Sequence, residues 1–157
     1  MQIRDATDAD LPAIERLIRA LAEYERLLPE VKMDQVLLRR TLFGERRYAE
    51  VLIAEEDGEA IGFALFFHNF STFLGRPGIY LEDLFVVPEQ RGKGVGKQLL
   101  RHLARVAVER DCGRLEWAVL NWNSDAIGFY ERLGARANSD WTVYRLAGDA
   151  LQKLGSD

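Results

Sequence analysis

Two carboxylates stand inside an otherwise apolar strand, and a basic, glycine-rich turn follows shortly after them. The strand reads Tyr80-Leu81-Glu82-Asp83-Leu84-Phe85-Val86-Val87, and the turn reads Arg91-Gly92-Lys93-Gly94-Val95-Gly96. Closely spaced backbone N–H groups at the start of a helix form a binding site for anions. Carboxylates are costly to bury without partners, so Glu82 and Asp83 are expected to face a cleft or a cationic group. Together the two features predict a phosphate-bearing molecule held beside groups that handle protons or cations.

The elements around these residues predict an α/β domain with a mixed, largely antiparallel sheet flanked by helices. Apolar residues recur at helical spacing from Leu11 to about Arg26, and Asp57-Gly58 is a hairpin signal. In chain order we expect strand 3–6, helix 11–26, a helix ending near 44, strands 48–56 and 60–68, a loop over 69–78, strand 79–87, a helix from 95, strand 114–120, helix 125–133, strand 141–146 and a short tail helix. Ser124 is a candidate cap for the helix at 125–133.

Length and composition favour one domain over residues 1–157. The formal net charge of -4 argues against general nucleic-acid binding, which shows a basic footprint. No apolar run approaches the roughly 20 residues of a membrane helix, and no secretory signal pattern opens the chain. Cys112 is the one cysteine, so no intramolecular disulfide framework exists. We therefore expect a cytoplasmic protein with neither membrane nor nucleic-acid partners.

Three phosphate-binding signatures compete for the glycine-rich turn. A P-loop needs G-x-x-x-x-G-K-[S/T], but Arg91 stands at its first glycine and Gln98 at its hydroxyl residue. A dinucleotide fingerprint needs G-x-G-x-x-G, but Lys97 occupies its third glycine. The third signature, [R/Q]-x-x-G-x-[G/A], is satisfied by Arg91, Gly94 and Gly96. It also has the required context, because a strand precedes the turn and an amphipathic helix follows it.

This third signature, together with a second segment, makes the chain resemble the GNAT N-acetyltransferases over nearly its whole length. The second segment is Trp122-Asn123-Ser124-Asp125-Ala126-Ile127-Gly128-Phe129-Tyr130, continued to Gly134. Tyr80-Leu81-Glu82-Asp83 and Trp122-Asn123 are similar to the diamine (spermidine/spermine) acetyltransferase branch. The loop 71–78 is most similar to the subgroup linked to thialysine. The resemblance implies the GNAT acyltransferase fold and an enzyme that moves an acetyl group from acetyl-CoA to a small primary amine, with no metal.

The resemblance also implies which residues hold the acetyl-CoA co-substrate. The glycine-rich turn would bind the pyrophosphate through backbone N–H groups, with positive charge from Arg91 and Lys93. Splayed strands would leave the main-chain groups of Phe85 and Val87 free to pair with the pantetheine arm, and Asn123 would contact the same arm unless it caps a helix. The implied coenzyme-binding residues are Phe85, Val86, Val87, Arg91, Gly92, Lys93, Gly94, Val95, Gly96, Asn123 and Tyr130.

The resemblance assigns the chemistry to few side chains. An alkyl amine with a pKa of about 10 must lose a proton before it attacks, and the departing thiolate must gain one. Tyr130 is the candidate acid, although a packing tyrosine is the alternative. Glu82 is the candidate base through water, and Asp83 either recognises the amine or forms a salt bridge to an arginine. Tyr24 is a candidate acceptor-binding residue; for it and Glu25 an exposed helix end is an equal explanation.

Departures from the diamine branch leave the acceptor open. Thr72 and Leu74 stand where that branch has an acidic residue and a tryptophan, and Glu116 stands where it has a histidine. A short, lysine-like amine is therefore as plausible as spermidine. The alternatives are a protein or peptide acetyltransferase and a non-catalytic acyl-CoA-binding module. The resemblance further implies a homodimer, and direct transfer in a ternary complex fits the lack of a cysteine placed to carry the acetyl group.

Overall fold

The structure is a computed structural model that describes residues 1–156. Its internal contacts divide the chain into two compact units, the first spanning Met1–Ala118 and the second beginning at Val119. The first unit contains a five-stranded sheet and three α-helices, and the described part of the second contains two further α-helices.

The sheet of the first unit has the order β1-β2-β3-β4-β5. Its strands are β1 Gln2–Asp5, β2 Glu50–Glu56, β3 Glu59–Ser71, β4 Arg76–Val86 and β5 Leu115–Trp117. The first four strands pair antiparallel and β5 pairs parallel to β4. This is the mixed, mostly antiparallel sheet that the sequence predicts. The parallel pair is made possible by a helical crossover between β4 and β5, as parallel neighbours require.

Helices cover both faces of this sheet. They are α1 Leu11–Tyr24, α2 Gln35–Leu42 and α3 Val95–Glu109. The apolar stripes of α1 and α2 pack with Phe63 and Phe85 in one buried cluster. On α3, Leu99 and Leu103 are fully buried, and a Cβ placed on Gly62 of β3 would lie 3.5 Å from the Leu99 side chain. The helices therefore anchor β4, which carries the two acids, from both sides.

The hairpin β3–β4 is longer than the sequence predicts. Asp57 and Gly58 have positive φ and join β2 to β3 as expected. The predicted loop over 69–78 is wrong, because β3 continues to Ser71 and β4 begins at Arg76. Pairs such as Phe70↔Pro77 belong to the ladder. Gly75 and Pro77 are turn signals in isolation, but the turn itself occupies only the residues between the two strands.

The second unit contains α4 Ser124–Arg132 and α5 Gly148–Gly155. Asn123, rather than Ser124, caps α4, and Gly134 follows it at a φ of 92°. The predicted strand at 141–146 is wrong, since these residues form no strand. Trp141, Val143 and Tyr144 are 77%, 87% and 93% exposed. The residue pattern can favour an extended chain, but a strand exists only where a neighbour accepts its hydrogen bonds. Within residues 1–156, no helix has the length and apolarity to cross a membrane.

Candidate active site

A β-bulge places the two acids of β4. Leu65 of β3 pairs with Asp83, while the next residue, Phe66, pairs with Leu81, so Glu82 is the extra residue. A bulge interrupts the ladder and re-aims the side chains beside it. Strict alternation would send adjacent side chains to opposite faces, and the bulge removes that constraint from Glu82 and Asp83.

The two acids differ in exposure and are coupled to each other. Glu82 is exposed and Asp83 is half-buried. Burial raises the pKa of Asp83 to about 7, with the negative charges of Glu82 and Glu25 adding to the shift. Burial also raises the pKa of Glu25, and repulsion from Glu82 adds to it. Three carboxyl groups thus share one region, in which Asp83 keeps its proton to a higher pH than an ordinary carboxyl.

Within residues 1–156, these carboxylates form no ion pair. In the part of the chain that the structure describes, every ion pair joins other residues, and none includes Glu82, Asp83 or Glu25. The salt bridge considered for Asp83 is therefore absent from residues 1–156. A ligand that carries a positive charge would therefore be bound with a favourable electrostatic interaction at this site.

The end of α1 brings Glu25 to this region through a strained turn. Glu25 is half-buried beside the last residue of the helix, and Arg26 follows it with a φ of 63°. A residue with a side chain adopts this left-handed conformation at a cost of about 1 kcal/mol or more. The Leu27 N–H donates to the Ala22 carbonyl at 2.8 Å and closes the turn. The sequence left Glu25 as a possible helix end, since no pattern marks a left-handed arginine.

The glycine-rich turn has the backbone geometry of an anion site. Gly92 and Gly94 have φ values of 76° and 83°, and Gly94 is the residue that precedes α3. Glycine adopts this region without steric cost. The first N–H groups of a helix have no acceptor within it, so those of the first turn of α3 remain available to a ligand. The exposed Lys93 donates to the Gln90 side chain at 2.9 Å and leaves its charge beside the turn.

Arg91 connects this turn to two other elements. Its Nε donates to the Val86 carbonyl at 2.9 Å. Its guanidinium carbon lies 4.7 Å from the centre of the Tyr24 ring and 5.2 Å from that of Phe85. Both distances are within the range of cation–π attraction. The structure thus places the Arg91 guanidinium between the end of β4 and the end of α1.

The open edge of β4 differs from the expected one. Beyond Leu81 no strand of the described chain pairs with this edge, because β5 pairs only with Ile79, Tyr80 and Leu81. The Val87 N–H donates to the Ile61 carbonyl at 2.9 Å, so the expectation of a free Val87 amide is wrong. Hydrogen-bonding direction alternates along a strand. The main-chain groups facing away from β3 are therefore those of Leu84 and Val86, one residue out of step with Phe85 and Val87.

The second unit holds the remaining predicted residues on α4. Asn123 is buried, and its side-chain oxygen accepts a hydrogen bond from the Ala126 N–H at 3.3 Å. Helix capping, one of its two predicted roles, is thus present. Tyr130 is half-buried, and its ring lies 5.4 Å from that of Phe129.

The residues that depart from the diamine branch lie in the first unit, and Glu116 among them has polar partners. Glu116 accepts from the Asn69 amide at 3.2 Å and lies 3.5 Å from Arg114. Thr72 and Leu74 are exposed in the turn between β3 and β4, where the Leu74 N–H donates to the Ser71 hydroxyl.

Of the predicted site residues, the first unit contains Tyr24, Glu82, Asp83, Arg91 and the glycine-rich turn.

Comparison with known proteins defines the class. The acetyltransferase (GNAT) family matches residues 14–135. The chain is 39% identical to a thialysine N-epsilon-acetyltransferase of Bos taurus, over 98% of this chain and 96% of that protein. It is 34% identical to the L-ornithine N5-acetyltransferase NATA1 of Arabidopsis thaliana, over 98% and 87% of the two chains. A solved structure of an integron cassette protein from the mobile metagenome of V. cholerae superposes with a TM-score of 0.84 at 29% identity, covering 99% of this chain and 98% of that one.

The chain belongs to the GNAT family and is an N-acetyltransferase. Its fold, with the five-stranded sheet and flanking helices, is that of the family. The relatives named for thialysine and ornithine support a small amine as the acceptor class. Among residues 1–156, no group of three or more His, Cys, Asp or Glu side chains is arranged to hold a metal ion.

Proposed function

We propose that this protein transfers an acetyl group from acetyl-CoA directly to the side-chain amine of a small lysine-like acceptor such as thialysine. The observation that carries the proposal is a group of three carboxyls, Glu25, Glu82 and Asp83, which have no ion pair within residues 1–156 and lie in one unit with a glycine-rich anion site. The names of the relatives support the acceptor class. A spermidine-like polyamine is the second candidate, favoured by the same negative charge.

The acceptor is proposed to bind as a cation. An ammonium group near Asp83 favours the ionised carboxylate, and it thereby reverses the effect of burial on the pKa of this group. Glu82, which is exposed, has access to water and takes the proton that the ammonium must lose. Tyr24, on which Arg91 stacks, is proposed to line the acceptor site beside Glu25.

Acetyl-CoA is proposed to bind along the edge of β4 and across the glycine-rich turn. The turn offers the N–H groups of Val95 and Gly96 and the charge of Lys93 to the pyrophosphate. The outward main-chain groups of Leu84 and the Val86 N–H are available to the pantetheine amides, while the Val86 carbonyl already accepts a hydrogen bond from Arg91. Val86 is therefore a better candidate than Val87. The set Phe85, Val86, Val87, Arg91, Gly92, Lys93, Gly94, Val95, Gly96, Asn123 and Tyr130 remains the proposed coenzyme site.

The reaction needs one base and one acid. The neutral amine nitrogen forms a bond to the thioester carbonyl carbon as the C–S bond breaks. Glu82 accepts the amine proton through water, and Tyr130 donates its phenolic proton to the departing sulfur. The role of Tyr130 rests on its place in the family motif. One domain is proposed from the chain length, and the family match, which spans parts of both compact units, supports it. A homodimer is proposed on the resemblance alone.

Thiol release from acetyl-CoA, measured across a panel of amines, tests this proposal. The panel contains thialysine, lysine, ornithine, putrescine, spermidine and a lysine-containing peptide. Turnover with the free amino acids is expected to exceed turnover with the peptide. Turnover of the peptide alone would identify the protein acetyltransferase alternative. Binding of acetyl-CoA without turnover of any amine would indicate an acyl-CoA-binding module instead.

A further inference from the structure

Arg91 contacts the coenzyme side and the acceptor side of the site at once. Its Nε donates to the carbonyl of Val86 on the open edge of β4. The carbon of the same guanidinium lies over the Tyr24 ring at the end of α1, 4.7 Å from its centre. The next residue along the chain, Glu25, is one of the carboxylates that raise the pKa of Asp83.

The geometry limits how far either side can move alone. A guanidinium is planar and rigid, so its hydrogen bond to a carbonyl and its contact with a ring are fixed relative to each other. The second ring, Phe85, belongs to the buried cluster under α1, and its centre lies 5.2 Å from the guanidinium carbon. The left-handed Arg26 closes the helix end just beyond Glu25. The Arg91 guanidinium is therefore a direct contact between the Val86 edge and Tyr24, the residue that precedes Glu25.

We infer that Arg91 is a positioning residue that couples the binding of the two substrates. Coenzyme binding along the Val86 edge fixes the position of Tyr24 and Glu25 at the end of α1, where the amine binds. The inference rests on the proposed function, and it assigns to Arg91 a task other than neutralising phosphate. Coupling of this kind is reciprocal: the amine must tighten coenzyme binding by the same factor by which the coenzyme tightens amine binding.

The coupling factor is measured by calorimetric titration of CoA, which cannot acetylate, in the absence and presence of saturating thialysine. The wild-type protein is expected to bind CoA about fivefold or more tightly in the presence of the amine. Tyr24→Leu removes the ring and is expected to bring this factor close to one. Tyr24→Phe keeps the ring and serves as the matched control, with a factor within about twofold of wild type.

A second variant, at Arg91, distinguishes a loss of coupling from a folding defect caused by Tyr24→Leu. Arg91→Lys keeps the charge but loses the planar guanidinium, and it is expected to lower the coupling factor as Tyr24→Leu does. In the double variant the factor should fall no further, since both changes break one contact. Thermal unfolding of each variant separates coupling from stability.

The outcomes separate this inference from the function on which it rests. A factor near one in the wild type, or an unchanged factor in Tyr24→Leu and Arg91→Lys, would overturn the coupling while leaving the acetyltransferase proposal in place. A lowered melting temperature with an unchanged factor would show that Arg91 only stabilises the fold. No CoA binding by the wild-type protein would overturn the coenzyme assignment itself, and the coupling with it.

Discussion

Replacing Asp83 by asparagine is expected to stabilise the protein above neutral pH and to have little effect in mild acid. The carboxyl is half-buried, and its pKa rises from 3.8 to about 7 in the folded chain. Between these two values the folded protein keeps a proton that the unfolded chain has released. The free energy of unfolding therefore falls as the pH rises, by about 1.36 kcal/mol per pH unit.

The loss is complete above the folded pKa. About three pH units at this slope correspond to about 4 kcal/mol, and solvent screening of a half-buried group reduces the expected value to on the order of 2 kcal/mol. Asparagine resembles the protonated carboxyl and carries no charge. The variant and the wild type should therefore be equally stable near pH 4, and the variant should be more stable by on the order of 2 kcal/mol at pH 8.

Urea unfolding of both proteins between pH 4 and pH 8.5 measures this difference. Asp140→Asn, at an exposed carboxyl, is the control and should give a curve parallel to that of the wild type. Glu25→Gln removes one of the charges that repel ionised Asp83. In that background, the stability difference caused by Asp83→Asn should develop at a lower pH. Parallel stability curves for wild type and Asp83→Asn would refute the argument, because they would mean that Asp83 titrates alike in the folded and unfolded chain.

Three further results are expected from the proposed mechanism. Tyr130→Phe should lower turnover by tens-fold or more with unchanged CoA affinity, measured by thiol release and calorimetry; an unchanged rate would remove Tyr130 as the acid. Binding of thialysine near pH 7 should release protons from Asp83, visible as a dependence of the calorimetric enthalpy on the buffer's ionisation enthalpy, and Asp83→Asn should abolish the release. Gly94→Ala places a side chain on a residue with a φ of 83°. It should lower the free energy of unfolding by about 1 to 2 kcal/mol and weaken acetyl-CoA binding. Gly155→Ala is the control, because Gly155 is helical and has open space around it, and it should have neither effect.

The local features of the site could be predicted from the sequence. The glycine-rich turn is recognisable because its requirements lie within a few consecutive residues. Gly92 and Gly94 supply positive φ, and the helix that begins at Val95 supplies free N–H groups. Periodicity likewise predicted α1 and α3, since one apolar stripe is enough to define each helix.

The features that depend on a partner element could not be predicted in the same way. The position of the bulge at Glu82 is set by the register of β3 against β4, which no residue of β4 alone specifies. The segment 141–146 shows the converse case, in which a strand-like pattern forms no strand. Which main-chain groups of β4 are open is likewise set by its pairing with β3. The Val87 N–H donates to the Ile61 carbonyl, so the outward groups are those of Leu84 and Val86.

Arg91 shows how a motif position and a side-chain contact carry different information. The signature selects an arginine or glutamine at this place, and the charge suggests a phosphate contact. The guanidinium instead donates to the Val86 carbonyl and stacks on Tyr24, from a helix more than sixty residues earlier in the chain. Glutamine shares with arginine the ability to donate to a carbonyl but lacks the charge. A signature that admits both is therefore better explained by the hydrogen bond to the strand edge than by attraction to an anion.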